Sequence, residues 1–302
     1  MPTASLRDDV TVIEDALAKI NLALHVTGQR SDGYHLLDML VTFTRHGDRL
    51  QFTPEEHDEF EISGRFAEAL GDSRDDNLVL KARDLLRDAI AREGGSTPCV
   101  RIQLQKNLPI ASGIGGGSAD AAATLRGLMR LWHASLPRAT VEAIAVRLGA
   151  DVPMCLASQP LVARGIGEQI TLVNDMPVFA MVLANPLKGV STPEVFRRLA
   201  TKTNPPLDMT ARPSWVETIG AMRNDLEPVA REILPEIAEI SAMLRAQGAS
   251  LVRMSGSGAT CYGIFASLAA AQGAAAVLHS ERPGWYFEAT ETIAGGRDAR
   301  TG

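Results

Sequence analysis

The chain has 302 residues, of which 45% are hydrophobic and 22% charged, with a net charge of -6 at pH 7. Those values suit a globular protein long enough for one large or two ordinary domains, not a disordered or fibrous one. A pI near 5.6 argues against general nucleic-acid binding, which favours basic surfaces, while a local cradle can still hold the phosphates of a small nucleotide. Cys99, Cys155 and Cys261 are widely spaced, without a Cys-x-x-Cys pair or a histidine cluster. That pattern predicts reduced thiols in a cytoplasmic protein with no structural zinc. The start has no charged-then-apolar signal pattern, and no apolar run approaches the roughly 18 residues needed to cross a bilayer. No membrane or nucleic-acid partner is expected.

In chain order, residues 1–9 read as a loose tail, followed by a strand over Ala18–Val26, a loop over Gly28–Tyr34 and a strand over Leu36–Thr44. Two short alternating runs, Arg49–Thr53 and Glu59–Ser63, follow. Asn77–Ala91 carries apolar residues at helical spacing and is ended by Gly94-Gly95. Val100–Lys106 alternates apolar and polar, as a half-solvated antiparallel strand does. A helix is predicted from Ser118, and another from an N-cap at Thr140 to Leu148, closed by Gly149. A second region begins near Met176 with a buried strand over Val178–Ala184. Asn204-Pro-Pro marks a loop, followed by helical stretches around Asn224-Asp225-Leu226 and over Ile233–Gln247. Strands over Ser250–Met254 and Ala259–Phe265 flank Ser255-Gly-Ser-Gly258. Ser267 caps a helix to His279, Trp285–Thr292 is a final strand, and the last residues from Gly295 read as a second loose tail. The interleaving of helices with alternating strands predicts an α+β fold, with domain boundaries at 1–172 and 173–302.

The most informative stretch is Leu108-Pro109-Ile110-Ala111-Ser112-Gly113-Ile114-Gly115-Gly116-Gly117-Ser118-Ala119, running into the alanine-rich segment Ala121-Ala122-Ala123. Glycines let a backbone approach a ligand closely, and a helix start offers unpaired N–H groups at the positive end of its dipole. Together they form a phosphate cradle; a purely structural strand-to-helix turn is the alternative. No Gly-Lys pair occurs anywhere, which excludes a Walker A loop. Ser118 stands where a dinucleotide fingerprint needs glycine, and the alternating strand ahead of the loop is not the buried parallel strand that fingerprint follows.

The loop resembles the Pro-x-x-x-Gly-Leu-Gly-Ser-Ser-Ala phosphate loop of the GHMP kinases. Three further segments carry the resemblance in the same order: Ala18-Lys-Ile-Asn-Leu22 continuing through Thr27-Gly-Gln-Arg-Ser-Asp-Gly-Tyr-His35, then Leu148-Gly-Ala-Asp-Val-Pro153, then Met254-Ser-Gly-Ser-Gly-Ala-Thr260. The Gly-Gly-Gly-Ser variant and the Gly-Tyr-His segment look most like the members that phosphorylate a cytidyl-linked methylerythritol in non-mevalonate isoprenoid synthesis. Another small-molecule kinase of the family, such as one acting on homoserine or mevalonate, and a non-catalytic nucleotide-binding protein on the same fold are the rival readings. The resemblance implies an N-terminal domain like ribosomal protein S5 domain 2, a ferredoxin-like C-terminal domain, and an active site in the cleft between them.

It also implies roles. Transfer of a γ-phosphoryl group from ATP with Mg²⁺ needs positioning, neutralisation of spreading charge and a proton acceptor. No permanently bound metal is expected. Asp151, in Gly-Ala-Asp-Val-Pro, matches the family's catalytic aspartate; by residue type alone it reads as a turn or N-cap aspartate. Lys19 matches a lysine beside that aspartate, its alternative being a lysine that snorkels to solvent. Pro109 to Ser118 would hold the triphosphate, with Ser118 either a phosphate or Mg²⁺ ligand or an ordinary N-cap. Asn77 and Lys106 match positions near the adenine, although Lys106 equally reads as a solvated strand residue. Asp120 is left without a role, because its charge near phosphate calls for a compensating neighbour. Ser255–Gly258 matches a glycine-rich motif that supports the phosphate loop, or is simply a tight hairpin. Asn21, Tyr34, His35 and Phe196 match residues that recognise the cytidyl acceptor. Phe196 also reads as a core anchor on an amphipathic helix.

Overall fold

The computed structural model describes residues 11–70, 76–210 and 213–296. Both expected tails fall outside these residues, apart from Gly295 and Gly296.

The chain opens with two long strands, β1 (Val12–Gln29) and β2 (His35–Pro54), which pair with each other. β2 merges two predicted strands. The segment Arg45-His46-Gly47-Asp48 reads as a break in sequence, yet its polar groups are tied down in extended form. The Thr44 hydroxyl donates to His46 O at 2.7 Å, Asn107 Nδ2 donates to Gly47 O at 3.1 Å, and the Asp48 carboxylate accepts from the backbone N–H of Asn107 and Leu108. After β3 (Glu59–Ser63) and the short α1 (Ala67–Leu70), α2 spans Leu78–Arg92, where the 3.6-residue period places it. β4 (Val100–Gln105) keeps its alternation of buried and half-exposed residues.

α3 (Gly116–Leu131) begins two residues before the predicted start, so Ser118 lies inside the helix and is not its N-cap. α4 (Arg138–Leu148) likewise begins ahead of Thr140: Pro137 is its N-cap, with a fixed φ suited to helix entry, and Gly149 closes it as expected. α5 (Val152–Ala157) and the hairpin of β5 (Leu161–Gly165) and β6 (Gln169–Leu172) have no counterpart in the sequence reading. The hairpin is turned by Gly165 and Gly167, both at positive φ, with the Glu168 carboxylate accepting from Ile166 N–H.

β7 (Ala180–Asn185), α6 (Thr192–Arg197) and α7 (Trp215–Gly220) follow. Asn224 is not helical: it bridges to Leu24, and α8 (Glu227–Ile233) starts beyond it. The single helix predicted over Ile233–Gln247 is divided, because Leu234 is extended ahead of Pro235, and only then does α9 (Glu236–Ala246) begin. β8 (Leu251–Met254), β9 (Cys261–Phe265), α10 (Leu268–Glu281) and β10 (Tyr286–Glu291) complete the chain. The Ser267 hydroxyl caps α10, accepting from Ala270 N–H at 3.2 Å.

These elements form two compact units. The first comprises Met1–Ala16, Gly47–Leu108 and Gly117–Leu156. In it β4 lies between β3, to which it is parallel, and the second half of β2, to which it is antiparallel, so the antiparallel expectation describes one edge of β4 only. α3 is buried without a break from Ala119 to Leu125, and a Cβ on Gly127 would lie 2.2 Å from the Phe52 ring. That glycine is what lets the helix settle on the sheet.

The second unit comprises Leu17–His46, Pro109–Gly116 and Ala157–Gly302. Its four-stranded antiparallel sheet has the order β10-β7-β9-β8, with α9 and α10 packed against it. Two β-α-β halves interleaved in this way make a ferredoxin-like sheet. In the same unit the first half of β2 pairs with β5, and β5 with β6. Among the described residues no helix is long and apolar enough to cross a membrane, and the three cysteines are free thiols.

Candidate active site

In the second unit the phosphate loop is held in an unusual backbone conformation. Ala111, Gly113 and Gly115 have φ of 50°, 79° and 66°, a left-handed region that favours glycine. Gly113 has a packing reason as well, since a Cβ there would lie 2.7 Å from the carbonyl oxygens of both Gly258 and Ser255. The Ser112 hydroxyl donates to Pro109 O at 2.6 Å, the Ser255 hydroxyl donates to Gly113 O at 3.0 Å, and Thr260 N–H donates to Ser112 O at 3.1 Å. The Ser255–Gly258 turn is thus the support of the loop, not a free hairpin.

Lys19 does not snorkel: it is 3% exposed. Its backbone N–H donates to Ile114 O at 2.9 Å, and its stem runs alongside Gly115, where a Cβ would stand 3.2 Å from Lys19 Cβ. Two residues on, Asn21 N–H donates to the Ser255 hydroxyl at 3.0 Å, so β1 and the supporting turn are stitched together. The Asn21 side chain is buried, with Nδ2 against Met39 Sδ at 3.3 Å and Oδ1 without a hydrogen-bond partner.

His35 and Phe196 come together, though far apart in sequence. Their rings stack with centroids 4.8 Å apart and planes at 26°. In α6 the core anchor is Val195, while Phe196 is half-buried. His35 Nε2 is buried and has no partner. Burial, aided by the nearby Lys202 ammonium, lowers the His35 pKa below its ordinary value, so the ring is neutral at pH 7. Tyr34 is exposed, at the end of a tight turn in which Arg30 N–H donates to Tyr34 O.

In the first unit, the chain passes from the loop directly into α3, whose first N–H groups have no carbonyl within the helix to pair with. Gly117 is exposed, and a Cβ there would meet only Leu78 Cδ1, at 3.7 Å. Asn77 is the N-cap of α2, its Oδ1 accepting from Val79 N–H at 2.9 Å. Lys106 is not a solvated strand residue. At 3% exposure its ammonium binds the Asp48 carboxylate and, at 2.6 Å, that of Asp120. Lys106 is the compensating neighbour that Asp120 requires. Burial pushes the Asp120 carboxyl up, against the pull of Lys106. Asp151 is half-buried at the start of α5, its carbonyl accepting the first helical bond from Cys155 N–H at 3.1 Å.

Sequence reading alone misses Asp48, which stands in what looks like a turn, and the pairing of Ser257 with Thr192, whose hydroxyl oxygens are 2.7 Å apart. No periodicity marks either.

Comparison with known proteins agrees with these features. The family model of the GHMP kinases N terminal domain matches residues 77–159, and that of the GHMP kinases C terminal domain matches residues 211–283. A 4-diphosphocytidyl-2-C-methyl-D-erythritol kinase of Rhizobium etli is 67% identical over 296 residues, covering 98% of this chain and 100% of the relative. The like-named protein of Agrobacterium fabrum is 59% identical, covering 93% of this chain and 96% of its own. A crystal structure of 4-(cytidine 5'-diphospho)-2C-methyl-D-erythritol kinase superposes with a TM-score of 0.80 at 32% identity, covering 94% of this chain and 100% of that one. A homoserine kinase from Cytophaga hutchinsonii shares the fold alone, with a TM-score of 0.64 at 17% identity over 98% of both chains. A phosphate loop of this conformation, two matched family domains and relatives alike over their full length lead to one conclusion: the chain belongs to the GHMP kinases.

Proposed function

We propose that this protein transfers the γ-phosphoryl group of ATP to the 2-hydroxyl of 4-diphosphocytidyl-2-C-methyl-D-erythritol, giving ADP and the 2-phosphate, as a step of non-mevalonate isoprenoid precursor synthesis. The observation that carries the acceptor choice is the stack of His35 on Phe196 with an unpartnered buried imidazole nitrogen. A pyrimidine extends such a stack, and its hydrogen-bonding edge satisfies the orphan atom. Full-length likeness to kinases named for this acceptor supports the same choice.

In this mechanism the 109–118 loop and the first turn of α3 bind the phosphates through backbone N–H groups. Positive φ at Gly113 and Gly115 and the open face at Gly117 fit that task. Asn77 and Lys106 serve the nucleotide indirectly, holding α2 and the strand ahead of the loop with side chains spent on Val79 N–H and on two carboxylates. Asp151 accepts the proton of the 2-hydroxyl, Lys19 stabilises the developing alkoxide, and Asn21 and Tyr34 position the acceptor with His35 and Phe196. When bound with the triphosphate, Mg²⁺ would supply neutralisation of its charge. The Ser118 hydroxyl, half-exposed in the first turn of α3, suits an ion that takes few protein ligands and keeps its waters. The free thiols fit a reducing cytoplasm.

An ADP-release assay over an alcohol panel containing the cytidyl acceptor, homoserine and mevalonate tests the reading: turnover is expected with the cytidyl acceptor alone. Asp151→Asn is expected to lose about two to four orders of magnitude in kcat while calorimetry shows both substrates still bound. A variant that keeps more than half of the parent's turnover removes Asp151 from the role of base.

A further inference from the structure

The Ser255–Gly258 turn reaches beyond the phosphate loop. On one side, backbone lies against backbone: a Cβ on Gly113 would stand 2.7 Å from Ser255 O and Gly258 O, and one on Gly256 would stand 2.8 Å from Gly113 O. Packing this close leaves no slack, so a shift of residues 112–113 is passed to the turn. On the other side the Ser257 hydroxyl meets that of Thr192 at 2.7 Å. Thr192 opens α6, one helical turn before Phe196.

A second route runs in parallel. Thr260, whose N–H donates to Ser112 O, accepts through its hydroxyl from Asn185 Nδ2 at 2.8 Å. Asn185 Oδ1 in turn accepts from Leu187 N–H at 2.7 Å, holding Leu187 at a φ of 56° in the segment that leads into α6. A non-glycine residue in that region is strained and persists only where its surroundings fix it. Both routes begin at Ser112–Gly113; the first ends at the start of the helix that carries Phe196, and the second at Leu187, in the segment ahead of it.

Resting on the functional reading above, we propose that Ser257 and Thr192 are positioning residues that couple nucleotide occupancy of the 109–118 loop to the placement of Phe196. ATP and the cytidyl acceptor then bind with positive cooperativity. Such coupling is reciprocal, so each ligand tightens the other by the same factor.

The test is calorimetric binding of the cytidyl acceptor without and with a non-hydrolysable ATP analogue, and of the analogue without and with the acceptor. The parent protein is compared with Ser257→Ala, Thr192→Val, Thr192→Ser and the Ser257→Ala/Thr192→Val double variant. The parent is expected to bind each ligand more tightly when the other is present, by equal factors. Ser257→Ala and Thr192→Val should lower that factor about fivefold or bring it to one, as loss of one neutral hydrogen bond does. The double variant should lose no more than either single one, and Thr192→Ser, which keeps the hydroxyl, should retain the parent's factor. A factor of one in the parent, or acceptor binding weakened equally with and without the analogue in the variants, overturns the coupling and leaves the kinase reading standing. A parent that does not bind the cytidyl acceptor at all overturns the functional reading, and this inference with it.

Discussion

Two polar clusters, one in each unit, use similar residue types to opposite ends. In the first unit Lys106, Asp48 and Asp120 are all at most 3% exposed, and the lysine ammonium is shared between the two carboxylates, with Asp120 Oδ1 left without a hydrogen-bond partner. Asp48 further accepts from two backbone N–H groups. In the second unit His35 and Asn21 are also drawn out of water, yet His35 Nε2 and Asn21 Oδ1 have no partner, and the Phe196 ring beside His35 is half-exposed. Burying a polar group without a hydrogen bond costs stability. The difference is one of compensation: the first cluster carries its own counter-charge, whereas the His35 imidazole and the Asn21 amide each keep an atom that no charge or hydrogen bond of the protein answers.

The closed cluster gives the largest expected effect. Lys106→Met leaves two buried carboxylates without their counter-charge, and removing one partner of a buried ion pair typically costs about 3–5 kcal/mol. A lowered midpoint in urea unfolding checks it. A variant as stable as the parent that has lost only ATP affinity would break the comparison, moving Lys106 from the fold to the nucleotide.

Glycines in the phosphate loop divide in the same way. Gly113→Ala places a methyl group against two backbone oxygens at positive φ, so it should lower the melting temperature and weaken both ligands together. At Gly117 an added Cβ meets only a distant leucine methyl, so Gly117→Val should lower melting far less than Gly113→Ala and weaken ATP roughly tenfold or more by blocking backbone approach. Equal loss of both ligands in a folded Gly117→Val variant would count against that separation.

Part of this was legible in the sequence. α2 follows from its apolar spacing and α10 from its Ser267 cap, because both are local signals. The loop's glycines read as a cradle because positive φ at Gly113 and Gly115 is a local demand. What was not legible depends on contacts between distant residues. The 45–48 segment stays extended only because Asn107 and Leu108 bind it. Lys106 reads as a solvated strand residue until Asp48 and Asp120 are placed around it. His35 and Phe196 were each legible as candidates through family resemblance, but their stacking was not, since nothing in either segment encodes the other.

The open cluster makes a smaller prediction about affinity. Phe196→Ala and His35→Ala should each raise KM for the cytidyl acceptor about 5- to 150-fold, the worth of a base–aromatic stack or of one unpaired edge, with the KM for ATP little changed. If ATP binding falls as far as acceptor binding, the stack is a structural contact like the Lys106 cluster, and the contrast between the two units fails.

The smallest effect is in pH. His35 has its pKa lowered by burial and by Lys202, so the folded protein prefers the neutral ring. For a base with a depressed pKa, the folded state binds fewer protons than the unfolded chain as pH falls through 6.5. Whatever depends on the neutral ring is therefore present at pH 7.5 and fades in acid. Protonation converts the accepting nitrogen into a donor and brings a second positive charge near Lys202. Calorimetric acceptor affinity should fall a few-fold between pH 7.5 and 5.5, and His35→Gln should bind more weakly but with a flat profile. Binding is the right readout because it reports recognition apart from the chemical step. A His35→Gln variant that keeps the parent's pH dependence would assign the proton to another group and leave the imidazole edge without a part in recognition.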